Sequence, residues 1–152
     1  MSFETKVQEL GLTIPTPAKP LAAYVPAVRT GNQVFVSGQL PSKDGQLLYK
    51  GLLGRDVTVE QGYEAARACA INCLGAVKAL VGSLDNIVRI VKVTGFVAAT
   101  PEFTDHPKVV NGASELMQQV FGEQGAHARA AVGMASLPLG VPVEVEMIVE
   151  VK

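Results

Sequence analysis

The sequence has few aromatic and few charged residues. It contains no tryptophan, aromatic side chains make up 5% of its 152 residues, and charged side chains make up 18%, whereas about 25% charged is usual for a folded domain. Thirteen Lys and Arg against fourteen Asp and Glu leave a net charge of −1. Non-specific binding to nucleic acid needs a basic surplus, and single-strand binders also need stacking aromatics. The composition therefore disfavours a nucleic-acid partner.

The apolar content excludes intrinsic disorder. Hydrophobic residues make up 48% of the chain, and disorder requires low hydrophobicity together with high net charge. The length suits one domain, predicted over residues 1–152. A folded chain with so few charges leaves open what covers its surface, and other copies of the same chain are one answer.

The sequence also lacks the marks of secretion, membrane insertion and metal binding. Residues 1–10 have no apolar signal segment, and no run approaches the ~18 apolar residues of a membrane span. The two cysteines, Cys69 and Cys73, lie four apart on one face of a predicted helix and have no nearby His or acidic partner. We expect a cytoplasmic protein with buried thiols, no metal and no membrane contact.

Hydrophobic periodicity predicts an α+β domain. Apart from a short opening helix, the order is β, β, a short optional β, α, β, α, β, β. The predicted helices cover residues 2–10, 59–81 and 107–121, and the predicted strands cover 21–30, 33–37, 46–49, 87–98, 128–136 and 142–151. A single mixed sheet with two helices on one face is the simplest arrangement. Because no element remains for the other face, a second subunit is expected there.

The last two strands carry the polar residues of greatest interest. Glu144, Glu146 and Glu150 alternate with valines, so the carboxylates share one face of the final strand. Arg129 shares a strand face with small residues, which leaves room for a carboxylate ligand that its guanidinium can bind through two hydrogen bonds. Two plainer interpretations stay open: solvent-exposed carboxylates, and an ion pair of Arg129 with Glu144 or Glu146.

Several segments in order resemble the Rid (YjgF, endoribonuclease L-PSP) family. They are Tyr24, Gly31-Asn32-Gln33-Val34-Phe35-Val36-Ser37-Gly38-Gln39-Leu40-Pro41, Val91-Lys92-Val93-Thr94-Gly95-Phe96-Val97, Asn111, Arg129, Leu137-Pro138 and Val143-Glu144-Val145-Glu146. The resemblance spans residues 20–151. Residues 1–20 are similar to the extension of the longer bacterial YjgF-like branch.

The resemblance implies a chorismate-mutase-like fold and a homotrimer, in which three sheets enclose a central barrel and small-molecule pockets lie between subunits. It also implies an enamine/imine deaminase without a cofactor, which hydrolyses small 2-imino acids to 2-keto acids and ammonia. Arg129 matches the family's carboxylate-binding arginine, and Glu144 matches the acid that orders water. The matching pocket-lining positions are Tyr24, Ser37, Gly38 and Asn111.

This sequence departs from the family at two places. Ala130-Ala131 stands where many members have a Ser-Cys-like pair, so the pocket should be more apolar and lack a thiol. His127 replaces a residue that is usually non-titratable, and it is either a pocket acid/base or an exposed histidine at a strand end. These departures motivate an alternative function, a regulatory trimer that binds a small carboxylate without turnover. An endoribonuclease is disfavoured by the balanced charge.

Overall fold

The computed structural model of the protein describes residues 2–17 and 23–152. Its helices are α1 (Phe3–Glu9), α2 (Val59–Val81) and α3 (His106–Phe121), and its strands are β1 (Ala27–Thr30), β2 (Gln33–Gln39), β3 (Ser42–Lys43), β4 (Gln46–Leu47), β5 (Ile87–Ala98), β6 (Ala128–Met134) and β7 (Val143–Val151). The predicted helices and the last three predicted strands are confirmed, with ends that shift by one or two residues.

One five-stranded sheet carries the fold, with strand order β1-β2-β7-β5-β6. Strands β5 and β6 run parallel, and the other neighbours run antiparallel. Helices α2 and α3 pack on one face of this sheet, where every second residue of β7 from Val143 to Val151 is buried. The prediction of a mixed sheet with helices on one face is confirmed.

Helix α2 begins at a capping box and lies very close to α3. The Thr58 hydroxyl accepts a hydrogen bond from the Gln61 amide, and the Gln61 side chain accepts one from the Thr58 amide. A Cβ on Gly112 of α3 would lie 2.0 Å from the Tyr63 carbonyl oxygen of α2. Only glycine permits this approach, which fixes α3 against α2 and positions the side chains of α3 above β6.

The sheet face opposite the helices, here called the open face, has no element of the described chain covering it. It carries Glu144 and Glu146, as the alternation of β7 predicts. Three large apolar side chains on this face, Val28, Phe35 and Val132, are 52%, 43% and 40% exposed. Val28 and Phe35 are cross-strand neighbours on β1 and β2, and Val132 lies on β6 at the other edge of the sheet. The paired Val28 and Phe35 form an exposed apolar patch of the kind found at association surfaces.

Two predicted strands differ from the observed ones. The strand predicted over residues 21–30 begins at Ala27, since Pro26 has no amide hydrogen to pair; residues 21–22 lie outside the described part of the chain. The strand predicted over 46–49 is shorter. It pairs with Ser42–Lys43, where no strand was predicted, and forms a hairpin separate from the main sheet. The Asp44-Gly45 turn, with φ of 53° and 79°, closes it.

Helix α1 is attached to the rest of the domain by two reciprocal caps. The Asp85 carboxylate accepts hydrogen bonds from the Phe3 and Glu4 amides, and the Glu4 carboxylate accepts one from the Leu84 amide. Phe3 also packs edge-on against Phe121 at 4.7 Å between ring centroids.

Among the described helices, none is both long and apolar enough to cross a membrane. That residues 1–20 correspond to the N-terminal extension of the longer bacterial YjgF-like branch stays a prediction.

Candidate functional site

Arg129 lies on the helix-covered face of the edge strand β6, against α3. Its parallel neighbour in register on β5 is the buried Val93. One terminal nitrogen, Nη1, donates to Asn111 Oδ1 at 2.8 Å and to Ser114 Oγ at 3.2 Å. Within residues 2–17 and 23–152, Nε and Nη2 have no hydrogen-bond partner. The exposed side of the guanidinium is therefore free to bind a carboxylate through two hydrogen bonds.

His127 is half-buried and joined to the same group of side chains. Its Nδ1 lies 2.6 Å from the Gly125 carbonyl oxygen, and its Nε2 lies 2.8 Å from Ser114 Oγ. The interpretation of His127 as an exposed strand-end histidine is therefore wrong. We call Asn111, Ser114, His127 and Arg129 the arginine cluster.

Glu144 lies on the open face of β7, beside the irregular end of β2. The register between these strands shifts between Val36 and Gln39, which brings the Gly38 backbone onto the Glu144 side chain. A Cβ on Gly38 would lie 2.3 Å from Glu144 Oε2, so any side chain at this position would displace the Glu144 carboxylate. Burial, and to a lesser degree the neighbouring Glu146 carboxylate, raise the pKa of Glu144 above its ordinary value.

The other two predicted pocket residues lie near Gly38. The Ser37 hydroxyl donates to the Val25 carbonyl at 2.6 Å, which leaves the lone pairs of its oxygen available as acceptors. Tyr24 is 58% exposed and, with Gly38, borders a cavity of about 860 Å³ whose lining also includes residues of β3, β4 and α2. Neither Ser37 nor Glu144 lines this cavity, so the single chain does not bring Tyr24 to Glu144. We call Ser37, Gly38 and Glu144 the carboxylate cluster.

The raised pKa of Glu144 predicts a pH-dependent gain in stability for Glu144→Gln. An unfolded glutamate titrates near pH ~4.3. Since the folded pKa is higher, ionised Glu144 costs stability once the pH rises through that folded pKa, and costs nothing below the unfolded pKa. We expect Glu144→Gln to melt a few degrees above wild type at pH 7.5 and equal to it at pH 4.

Differential scanning fluorimetry across this pH range measures the effect. Glu150→Gln, on the same face of the same strand, is the matched control and should change the melting temperature less. A Glu144→Gln variant less stable than wild type at pH 7.5 would contradict the prediction.

Within one chain the two clusters lie on opposite faces of the sheet. Strand β5 separates β6 from β7, Arg129 contacts α3, and Glu144 contacts β2. The interpretation of Arg129 as the ion-pair partner of Glu144 or Glu146 is therefore wrong for the single chain. Among the described residues, no three His, Cys, Asp or Glu side chains lie close enough together to hold a metal ion.

The thiols lie away from the arginine cluster. Cys69 Sγ is 3.6 Å from the Val143 carbonyl oxygen and Cys73 Sγ is 3.5 Å from that of Val145. Burial raises the pKa of Cys69 and of Cys73, which keeps both thiols protonated and unreactive. Ala131, which shares the strand face of Arg129, supplies no thiol there.

Ser114 was missed by the sequence analysis, although it is the residue that joins His127 to Arg129. Its spacing of three from Asn111 places both side chains on one face of α3. That spacing was the available signal, but a serine inside a helix usually has no functional role. Ser114 is identified by its hydrogen bonds to His127, which precedes β6, and to Arg129, which lies on β6.

Comparison with known proteins agrees with this fold. A family model described as YjgF/chorismate mutase-like, with an endoribonuclease label, matches residues 4–151. Protein TCP17 of Trypanosoma cruzi is 47% identical over 145 residues, which cover 95% of this chain and 91% of TCP17. The 2-iminobutanoate/2-iminopropanoate deaminase of Dermatophagoides farinae is 28% identical over 143 residues, which cover 93% of this chain and 95% of the deaminase.

A solved structure is similar over nearly the full length. The crystal structure of Atu1372 from Agrobacterium tumefaciens, a protein of unknown function, has a TM-score of 0.91 and 50% identity, and the match covers 99% of this chain and 93% of Atu1372. Sequence motifs, fold and family model thus agree, and the chain belongs to the YjgF/chorismate mutase-like family.

Proposed function

We propose that the protein is an enamine/imine deaminase that hydrolyses small 2-imino acids to 2-keto acids and ammonia without a cofactor. The observation that carries the proposal is the guanidinium of Arg129. It is held on one side by Asn111 and Ser114 and is free at Nε and Nη2 on the other. A fixed guanidinium with one open side is suited to a planar carboxylate.

The reaction needs few groups. Water adds to the imine carbon, a proton reaches the nitrogen, and the resulting carbinolamine expels ammonia as its hydroxyl becomes the keto oxygen. Arg129 orients the imine carbon by binding the carboxylate. Glu144 holds the water and moves protons, and its raised pKa favours proton exchange nearer neutral pH. The acceptor oxygen of Ser37 and the Gly38 amide complete the polar end of the pocket.

The two clusters act together only if separate subunits bring them together. Arg129 and Glu144 lie on opposite faces of one sheet, so we propose a homotrimer in which the arginine cluster of one copy faces the carboxylate cluster of the next. The exposed apolar side chains Val28, Phe35 and Val132 support this assembly, because a central barrel would cover the open face. Cytoplasmic location stays a prediction.

The distant deaminase relative supports the same reaction class. The Dermatophagoides farinae protein carries the name 2-iminobutanoate/2-iminopropanoate deaminase and is similar to this chain along nearly its whole length. The name TCP17, carried by the more similar Trypanosoma cruzi relative, states no reaction. The substrate class proposed for this chain therefore rests mainly on the arginine cluster.

A coupled assay tests the proposal. An amino-acid oxidase generates the 2-imino acid in the presence of semicarbazide, which captures the imine before it hydrolyses unaided. Added protein should lower the yield of semicarbazone and raise that of free 2-keto acid in proportion to its concentration. Protein without effect on either product, at concentrations equal to the oxidase, would refute deaminase activity.

A second function has one observation in its favour. Ala131 beside Arg129 supplies neither a thiol nor a titratable group, so the arginine cluster can bind a carboxylate without assisting turnover. On this alternative the protein is a regulatory trimer for a small keto acid. Thermal stabilisation by keto acids with no activity in the coupled assay would favour it over the deaminase.

A further inference from the structure

A chain of hydrogen bonds connects His127 to Arg129 through Ser114. From the Gly125 carbonyl oxygen the distances are 2.6 Å to His127 Nδ1, 2.8 Å from His127 Nε2 to Ser114 Oγ, and 3.2 Å from Ser114 Oγ to Arg129 Nη1. Ser114 is 9% exposed and His127 is half-buried, whereas Arg129 is exposed. The chain therefore leads from the protein interior to the free guanidinium.

The chemistry of the atoms fixes the direction of every bond when His127 is neutral. A carbonyl oxygen only accepts, so His127 Nδ1 must carry the proton. Nε2 is then an acceptor, and the Ser114 hydroxyl must donate to it. With its proton committed, Ser114 Oγ presents lone pairs to Arg129, which only donates. No group in the chain can reverse its role unless His127 is protonated at both nitrogens.

This arrangement restrains one half of the guanidinium. Nη1 donates to Ser114 Oγ and to Asn111 Oδ1, so the plane of the guanidinium is held by two acceptors on α3. Nε and Nη2 remain unpaired within the described residues. Restraining an arginine before a ligand arrives removes part of the entropy cost of binding.

We propose that Ser114 and His127 are positioning residues, which hold Arg129 ready to bind a planar 2-keto or 2-imino carboxylate through a one-way chain of hydrogen bonds. This inference rests on the proposed function of Arg129. It deepens that function by assigning roles to two residues that never touch the substrate. Removing either residue should weaken carboxylate binding and leave the chemical step nearly intact.

Pyruvate, a small 2-keto acid, is the probe for binding, measured by isothermal titration calorimetry on the intact protein. We expect Ser114→Ala and His127→Leu each to raise its Kd about tenfold, the effect of losing one hydrogen bond on a charged group. The double variant should be no weaker than either single one, because both changes break the same chain. His127→Gln keeps an acceptor at about the reach of Nε2 and should bind within twofold of wild type.

The same variants in the coupled assay should show KM raised by the same factor and kcat changed less than twofold, a split that general loosening of the fold would not produce. Gln118→Ala, on the exposed side of α3, is the matched control. Wild-type affinity in Ser114→Ala and His127→Leu, with binding still lost in Arg129→Ala, would overturn the inference and leave the proposed function standing. Pyruvate binding that is absent in wild type or unchanged in Arg129→Ala would overturn both.

The tautomer of His127 can be tested in the wild-type protein, so this test does not depend on whether the variants fold. Nitrogen NMR of the ¹⁵N-histidine-labelled wild-type protein at pH 8 should show Nδ1 protonated and Nε2 unprotonated. The opposite tautomer would overturn the inference, because Ser114 would then accept from His127 and the direction of the chain would be lost.

Discussion

Replacing Arg129 by alanine should lower kcat/KM for a 2-imino acid by about 100- to 1,000-fold. Truncating one partner of a hydrogen-bonded charge pair costs about 2–5 kcal/mol, and the loss removes both binding and orientation of the reacting carbon. Arg129→Lys should recover only part of the activity, since an ammonium group cannot make the paired hydrogen bonds of a guanidinium. The coupled semicarbazide assay measures both variants.

Arg55→Ala is the control for loss of an arginine, because among the described residues the Arg55 side chain pairs only with the exposed Asp56. It should retain wild-type activity. If Arg129→Ala also kept its activity while remaining folded by circular dichroism, the carboxylate anchor would have to be another residue, and the proposed site would be wrong.

Two inactive variants should restore each other when they assemble together. We expect Glu144→Gln to lose about 100-fold in kcat, the usual effect of removing a general acid/base. In a trimer made from equal amounts of Arg129→Ala and Glu144→Gln subunits, an intact pocket needs Arg129 from a Glu144→Gln copy and Glu144 from its Arg129→Ala neighbour. Random mixing gives about a quarter of the pockets both groups, since a site shared across a cyclic interface draws one residue from each side.

The two variants are mixed and refolded, with one of them tagged, and the product is examined by the coupled assay and by native mass spectrometry. Each variant refolded alone should stay inactive. The mixture should reach about a quarter of wild-type activity, because about a quarter of the shared pockets then contain both groups. Mixed trimers without recovered activity would show that the groups do not share a pocket. A protein that is monomeric at micromolar concentration would contradict the assembly itself.

Sequence periodicity was sufficient for most of the fold. Helix α2, with its capping box at Thr58 and Gln61, and strand β5, with its β-branched run, were predicted because local propensity and burial agree there. The strand predicted over residues 21–30 was too long, and the one predicted over 46–49 is shorter and lies in a separate hairpin rather than in the single predicted sheet. Pairing in these short segments depends on Pro26 and on the Asp44-Gly45 turn rather than on hydrophobicity.

The site was predictable only in part. The residue types and their strand faces follow from alternation, so Arg129 and Glu144 could be named from the sequence. Their separation by β5 could not, because strand order is a long-range property that alternation does not encode. Ser114 and the half-buried position of His127 depend on how α3 lies over β6, and that position is set by the contact between Gly112 and the Tyr63 carbonyl.

The separate supports of the two clusters also matter for how the protein can change over evolution. Arg129 is held by side chains of α3, whereas Glu144 lies beside the Gly38 backbone at the irregular end of β2. Substitutions at distant, unconnected positions usually combine additively. If the proposed function holds, drift on α3 can therefore alter which carboxylates Arg129 accepts while Glu144 keeps its surroundings, so that new substrate preferences can arise without rebuilding the chemistry.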